Sequence, residues 1–118
     1  MKKILSILLV SVLLIGCSED RVLIDALINK GTEESPIIYS EKGLFNGIGF
    51  DVFENGQIKY EENYKDGKTD GLFKLWYENG QLSYEGKYRN GKRDGIQMDW
   101  HENGQLKSEK NNKDGRML

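Results

Sequence analysis

The chain has 118 residues, with 17 basic and 19 acidic side chains, a net charge of −2 and 37% hydrophobic residues. This length suffices for one small domain, and a slightly acidic chain of mixed charges gains nothing from a phosphate backbone, which disfavours nucleic-acid binding. The single cysteine, Cys17, excludes an internal disulfide and a thiolate metal cluster.

The first residues have the layout of an export signal. Two lysines, Lys2 and Lys3, precede an apolar run of Ile, Leu and Val with two serines at 4–15, and Gly16 and Cys17 close the segment. The run is too short to cross a bilayer as a permanent helix. We therefore expect a signal peptide helix over 1–16 that is removed from the mature chain.

The end of this segment, Leu14-Ile15-Gly16-Cys17, resembles the bacterial lipobox. The resemblance implies that Cys17 is lipidated and becomes the first residue of the mature protein; a plain signal peptide or an anchor helix with an incidental cysteine is the alternative. Loss of 1–16 would remove two lysines and leave 15 basic against 19 acidic residues, net −4. Ser18, in place of an aspartate, favours the outer membrane of a bacterial envelope by similarity to known sorting rules. The acidic pair Glu19-Asp20 that follows resembles signals for export to the cell surface.

Residues 18–40 are expected to be a linker and an N-terminal cap. Apolar residues alternate over 22–28 as in a strand, whereas Asp25-Ala26-Leu27 suits a helix. We favour a strand over 21–28 that pairs with 37–40, and a loop over 31–36.

The remainder, 41–118, is a domain of repeats with a period of 24 residues. Segment 53–76 aligned on 77–100 gives 12 identities in 24 positions, which indicates stacked copies of one small unit. Each copy contains two turn signals about ten residues apart. The turn residues are Asn55, Gly56, Asp66, Gly67, Asn79, Gly80, Asn90, Gly91, Asn103 and Gly104.

Such Asn-Gly and Asp-Gly pairs predict type I′ hairpin turns, and the intervening segments have the length of short strands. Helices are excluded because no run free of glycine is long enough. A third glycine set, Gly47, Gly71 and Gly95, predicts bulges that twist the strands. The fold class is therefore all-β: an open, single-layer antiparallel meander of about three hairpin repeats.

Alternation along 72–77 places Leu72 and Trp76 on one face, opposite Phe73 and Leu75. The face of Leu72 and Trp76 is apolar in nearly every copy, while the other drifts towards polar residues, so we expect a sheet with one apolar face. The tyrosines of the returning strands are assigned to the tryptophan side. They form one aromatic stripe, which is either covered as a core or open as a binding groove, consisting of Tyr60, Tyr64, Trp76, Tyr84, Tyr88 and Trp100.

The segment around 64–88, with Tyr-Lys-Asp-Gly-Lys-Thr-Asp-Gly, a strand ending in Trp76 and then Tyr-Glu-Asn-Gly-Gln-Leu, resembles the MORN repeat. It is most similar to the variant found in bacterial lipoproteins and in proteins labelled as antitoxin components. The resemblance covers about two thirds of the chain. It implies a binding scaffold with no shared chemistry, and the fold alone does not fix a function.

No catalytic or metal site is predicted. The one histidine, His101, occupies the slot of Phe53 and Tyr77 and is expected to be a solvated turn residue. The repeated acids, such as Asp70 and Asp94, are expected to pair with Lys68 and Lys92 or to bond turns, since catalytic pairs are usually unique.

The sequence thus predicts a non-enzymatic, lipid-anchored envelope protein that needs no cofactor. We expect it to be held at the membrane by its lipid anchor and to bind another envelope protein or a surface polymer. Two alternatives remain: an antitoxin-like inhibitor of a toxin, which requires an exported toxin or an unprocessed Cys17, and a cell-wall glycan hydrolase, which requires a non-repeated pair of acids in a cleft.

Overall fold

The computed structural model describes residues 20–118 and contains eleven strands in that range. The predicted signal helix and Cys17 lie outside the described residues. Among residues 20–118 the one helical element is a 3₁₀ turn at Ile24–Ala26. The strands are β1 (Arg21–Leu23), β2 (Ile28–Asn29), β3 (Ile38–Ser40), β4 (Gly43–Leu44), β5 (Gly47–Val52), β6 (Ile58–Lys65), β7 (Lys68–Trp76), β8 (Leu82–Arg89), β9 (Lys92–Trp100), β10 (Leu106–Lys113) and β11 (Arg116–Met117).

These strands form two sheets. The larger has eight strands in the order β1-β5-β6-β7-β8-β9-β10-β11, and the smaller consists of β2-β3-β4. From β5 onward each strand pairs antiparallel with the next one in the chain. The predicted open meander of hairpin repeats is therefore confirmed.

The hairpins use two different turns. Asp66 and Gly67 both have positive φ, at 50° and 78°, as a type I′ turn requires, and the pairs 90–91 and 114–115 repeat this geometry. At 53–57, however, only Gly56 has positive φ, at 89°. The backbone amide of Gly56 donates to the carbonyl of Phe53, and the backbone amide of Phe53 donates to the carbonyl of Gln57. The type I′ prediction is thus confirmed at 66–67, 90–91 and 114–115 and wrong at 55–56, 79–80 and 103–104.

The turns at 55–56, 79–80 and 103–104 instead have the pattern of a three-residue loop with a glycine bulge. The reason lies in the asparagine side chain, since Oδ1 of Asn55 accepts a hydrogen bond of 2.9 Å from the amide of Gln57. This bond holds Asn55 out of the left-handed region.

The N-terminal segment also departs from expectation, because 21–28 is not one strand. β1 pairs in parallel with β5, while β2 provides the pairing with β3, through Ile28 opposite Tyr39. Between them the amide of Leu27 donates to the carbonyl of Ile24 at 3.0 Å and closes the 3₁₀ turn. A Cβ added at Gly49 would lie 3.2 Å from Leu27 and 3.3 Å from Ile24, so the turn packs directly on β5.

Turn side chains connect one repeat to the next. Nδ2 of Asn55 donates to the carbonyl of Glu78 at 3.3 Å, and Nδ2 of Asn79 to the carbonyl of Glu102 at 3.0 Å. At the opposite edge, the Asn90 amide donates to the carboxylate of Asp70. Both rows of turns are therefore bonded along the stack, in addition to the sheet itself.

Candidate functional site

The register divides the six predicted stripe residues between the two faces of the sheet. Leu75 lies directly opposite Tyr60 on one side and Tyr84 on the other, and residues directly opposite in an antiparallel pair project from the same face. Trp76 is adjacent to Leu75 and so projects from the other face. Asp99 lies directly opposite Tyr84 and shares its face, so the adjacent Trp100 also projects from the other face.

The single aromatic stripe expected from the sequence is therefore wrong. We call one side the tyrosine face and the other the tryptophan face. The tyrosine face carries Tyr60, Tyr64, Phe73, Leu75, Tyr84 and Tyr88; the tryptophan face carries Phe50, Leu72, Trp76, Ile96, Met98 and Trp100. The error arose because alternation orders side chains only within a strand, whereas the register between strands decides which residues of two strands share a face.

The tyrosine face holds the more buried positions. Phe45 and Tyr64 are 3% and 8% exposed, and their ring centroids are 5.6 Å apart. Phe73 packs edge-on against Tyr60 and Tyr84, with centroids 5.3 and 5.6 Å away. These aromatic contacts join neighbouring repeats on this face.

Tyr60 and Tyr64, the first tyrosine pair, surround an acid. Their hydroxyls are 3.2 Å apart, and both donate to Oε1 of Glu62, the bond from Tyr64 measuring 2.7 Å. The Thr69 hydroxyl donates to Oε2. Three hydroxyls from two strands thus hold one half-buried carboxylate.

This environment disfavours ionisation of the tyrosines. Burial, and next the negative charge of Glu62, raise the pKa of Tyr60 and of Tyr64 above the ordinary value of 10.0. The two rings therefore remain neutral hydrogen-bond donors throughout the physiological range.

Tyr84 and Tyr88, the second tyrosine pair, have the same spacing but different neighbours. Their hydroxyls are 3.3 Å apart. Gly86 occupies the slot of Glu62, and Arg93, directly opposite Tyr88, occupies the slot of Thr69. A Cβ at Gly86 would lie 2.3 Å from the Tyr84 hydroxyl, so the Tyr84 side chain leans over the glycine.

In the third repeat the tyrosines are replaced by Ser108 and Asn112. The Ser108 hydroxyl donates to Asp99 at 3.0 Å, and Nδ2 of Asn112 donates to Oε1 of Gln97. Gln97 and Asn112 are 4% and 6% exposed. The last repeat therefore closes this face with satisfied polar groups instead of rings.

The tryptophan face is more open and mixes apolar and charged side chains. Leu72 and Ile96 are 36% and 40% exposed. Lys74 lies directly opposite Glu61 and Glu85, and Arg21 forms an ion pair with Glu61 at 2.8 Å. Charges of alternating sign thus separate the apolar residues on this side.

A family model described as a MORN repeat variant matches residues 45–66, 69–90 and 93–114, which is more than half of the chain. The chain belongs to this MORN repeat family. The matched segments contain β5, β6, β8 and β10, all but the first residue of β7 and β9, and both tyrosine pairs. The tyrosine face is therefore built from MORN repeats. No curated protein and no solved structure matches the chain significantly.

Sequence reasoning missed Glu62 and Arg93. The only sequence signal for them was that they differ from the residues at the equivalent positions of the other repeats. Glu62 corresponds to Gly86 and Lys110, and Arg93 corresponds to Thr69 and Met117. The sequence predicts that the repeated acids pair with Lys68 and Lys92 or bond turns. Asp70 bonds a turn, since its carboxylate accepts from the backbone amide of Asn90 at 3.1 Å, whereas the carboxylate of Asp94 lies 3.9 Å from Arg89.

Within the described part of the chain, no three His, Cys, Asp or Glu side chains are grouped to hold a metal ion. His101 is exposed beside its turn. Over residues 20–118 no helix has the length and hydropathy needed to cross a bilayer.

Proposed function

We propose that this MORN repeat protein is a non-enzymatic envelope lipoprotein, tethered through Cys17, whose tyrosine face binds another envelope protein or a surface polymer. The observation that carries the binding role is the row of half-buried aromatic rings and hydroxyls on one face of an open sheet. Tyrosine offers a rigid apolar body with a polar tip, a combination favoured at binding surfaces.

Glu62, an acid on this face with no acidic counterpart at its slot in the next two repeats, favours a scaffold over a hydrolase. Glu62 has both carboxylate oxygens bonded, to Tyr60 and Tyr64 on one side and Thr69 on the other. A general acid or base must instead reach the proton of a substrate.

The tether is tested by labelling cells with radioactive palmitate. The wild-type chain should incorporate label, and Cys17→Ala should not. Label in the variant, or none in the wild type, contradicts lipidation at this residue and would favour an intracellular role such as toxin inhibition.

The binding face is tested by capture from native envelopes. The double variant Tyr84→Phe/Tyr88→Phe keeps both rings and removes the hydroxyls, whereas Leu72→Ala alters the tryptophan face. We expect the first to lose the captured partner and the second to retain it. Equal capture by wild type and the tyrosine variant, with loss in Leu72→Ala, would place the surface on the other face.

A further inference from the structure

The two tyrosine pairs differ by one missing carboxylate. In the first, the carboxylate of Glu62 accepts hydrogen bonds from both tyrosine hydroxyls and from Thr69. In the second, the residue at the equivalent slot is Gly86, and the hydroxyls of Tyr84 and Tyr88 bond to each other at 3.3 Å. The donors are repeated, but the internal acceptor is not.

A cation is added where the acceptor is lost. Arg93 stands in the slot of Thr69, directly opposite Tyr88 in the register. Its side chain is exposed, and among residues 20–118 no carboxylate lies within ion-pairing distance of it. The neighbouring Tyr88 raises the pKa of Arg93, so the guanidinium stays charged.

Arginine beside two hydroxyls has the donor geometry that carboxylates accept. Guanidinium groups bind carboxylates with two parallel bonds, and hydrogen bonds to a charged partner are about twice as strong as neutral ones. Of two hydroxyls that share one hydrogen bond, one keeps a free proton to donate. The site therefore lacks the acid that the first repeat supplies from its own strand, and the acid directly opposite Tyr84, Asp99, already accepts a hydrogen bond from Ser108.

We propose that Tyr84, Tyr88 and Arg93 form a binding site for a carboxylate of a partner protein, presented by a glutamate or aspartate in an extended segment. An acidic protein side chain is favoured because the group that fills the equivalent place in the first repeat is itself a glutamate on a strand. This inference rests on the proposed binding role of the tyrosine face and names the chemistry that the face recognises.

The test is a titration of the full-length protein in detergent with the capped peptide Gly-Glu-Gly, followed by NMR of the arginine side chains. We expect the Arg93 signal to shift with the glutamyl peptide, and Gly-Gln-Gly to leave it unchanged. Arg93→Gln should weaken binding about tenfold or more, the equivalent of one charge-assisted hydrogen bond. Arg89→Gln, which alters a neighbouring exposed arginine on the same hairpin, should bind as the wild type does.

A second variant supplies the missing acid from within. Gly86→Glu places a carboxylate in the slot of Glu62 and obliges the Tyr84 ring, which leans over Gly86, to move aside. The internal carboxylate should then compete for Arg93 and suppress peptide binding. Undiminished binding in Gly86→Glu or in Arg93→Gln would overturn the proposal, as would a response to inorganic phosphate with none to the peptide. If native envelopes still yield a partner that depends on Tyr84 and Tyr88 while the peptide fails, the carboxylate site is wrong and the scaffold role stands.

Discussion

The hydroxyl cluster around Glu62 should be the strongest polar contribution to stability in the repeat domain. The perturbation is Glu62→Ala, which removes the shared acceptor of Tyr60, Tyr64 and Thr69. Each hydrogen bond to a charged group contributes about 1.5–3 kcal/mol net.

The full value of three such bonds is not expected to be lost. Glu62 is half-buried, so water can replace part of the carboxylate, and the two tyrosine hydroxyls, already 3.2 Å apart, can bond to each other. We expect Glu62→Ala to lower the free energy of unfolding by about 2–3 kcal/mol, and Glu62→Gln, which keeps one acceptor oxygen, by about 1 kcal/mol.

The assay is thermal unfolding followed by circular dichroism. For a domain of this size, each kcal/mol corresponds to a shift in Tm of about 4–8 °C. Glu78→Ala, in an exposed turn, is the matched control and should change Tm by no more than the usual surface substitution. A loss below about 0.5 kcal/mol in Glu62→Ala would refute the reasoning, because it would mean that the three hydroxyls are as well solvated without the acid as bonded to it.

Three further predictions concern turns, the repeat stack and alkaline pH. Gly67 and Gly56 both have positive φ, but a Cβ at Gly67 would lie 2.8 Å from a backbone carbonyl oxygen, whereas one at Gly56 would meet nothing within 4 Å. In urea unfolding, Gly67→Ala should lower the free energy of unfolding by about 2–3 kcal/mol and Gly56→Ala by about 1 kcal/mol. Equal losses would contradict the close packing at Gly67. Asn79→Ala should lower the free energy of unfolding by about 1 kcal/mol more than Asn103→Ala. The reason is that Asn79 donates to the next repeat, whereas among the described residues Asn103 bonds only within its own turn. Indistinguishable denaturation midpoints of the two variants would contradict that difference. The folded protein raises the pKa of Tyr60 and Tyr64, so their neutral side chains stabilise the fold fully below pH 10.0, and this contribution is lost as the pH rises through the raised values. Tyrosinate absorbance and circular dichroism should therefore change together in alkali. Ionisation of all tyrosines before unfolding would argue against their burial.

The sequence was sufficient for the architecture because the repeat fixes turn spacing and strand length together. Asp66-Gly67 follows directly from residue type, since both positions tolerate positive φ. Asn55-Gly56 does not, because the choice between two turn geometries depended on an asparagine side chain that bonds Gln57. The bulge then restores the register, so Leu75 lies opposite Tyr84 as a two-residue turn at 79–80 would also place it, and Trp76 projects from the other face in either geometry.

The candidate site depended on what a repeat pattern conceals. Alignment of the copies draws attention to the positions that agree, and these are the turns, bulges and rings that any stack of hairpins needs. Glu62, Gly86 and Lys110 share one slot and differ in charge, and only the folded sheet shows that this slot faces a pair of hydroxyls in the first two repeats. The same donors are bonded to an internal carboxylate in one repeat and lack the equivalent carboxylate in the next. We therefore expect recognition in this scaffold to reside in the positions where the copies diverge.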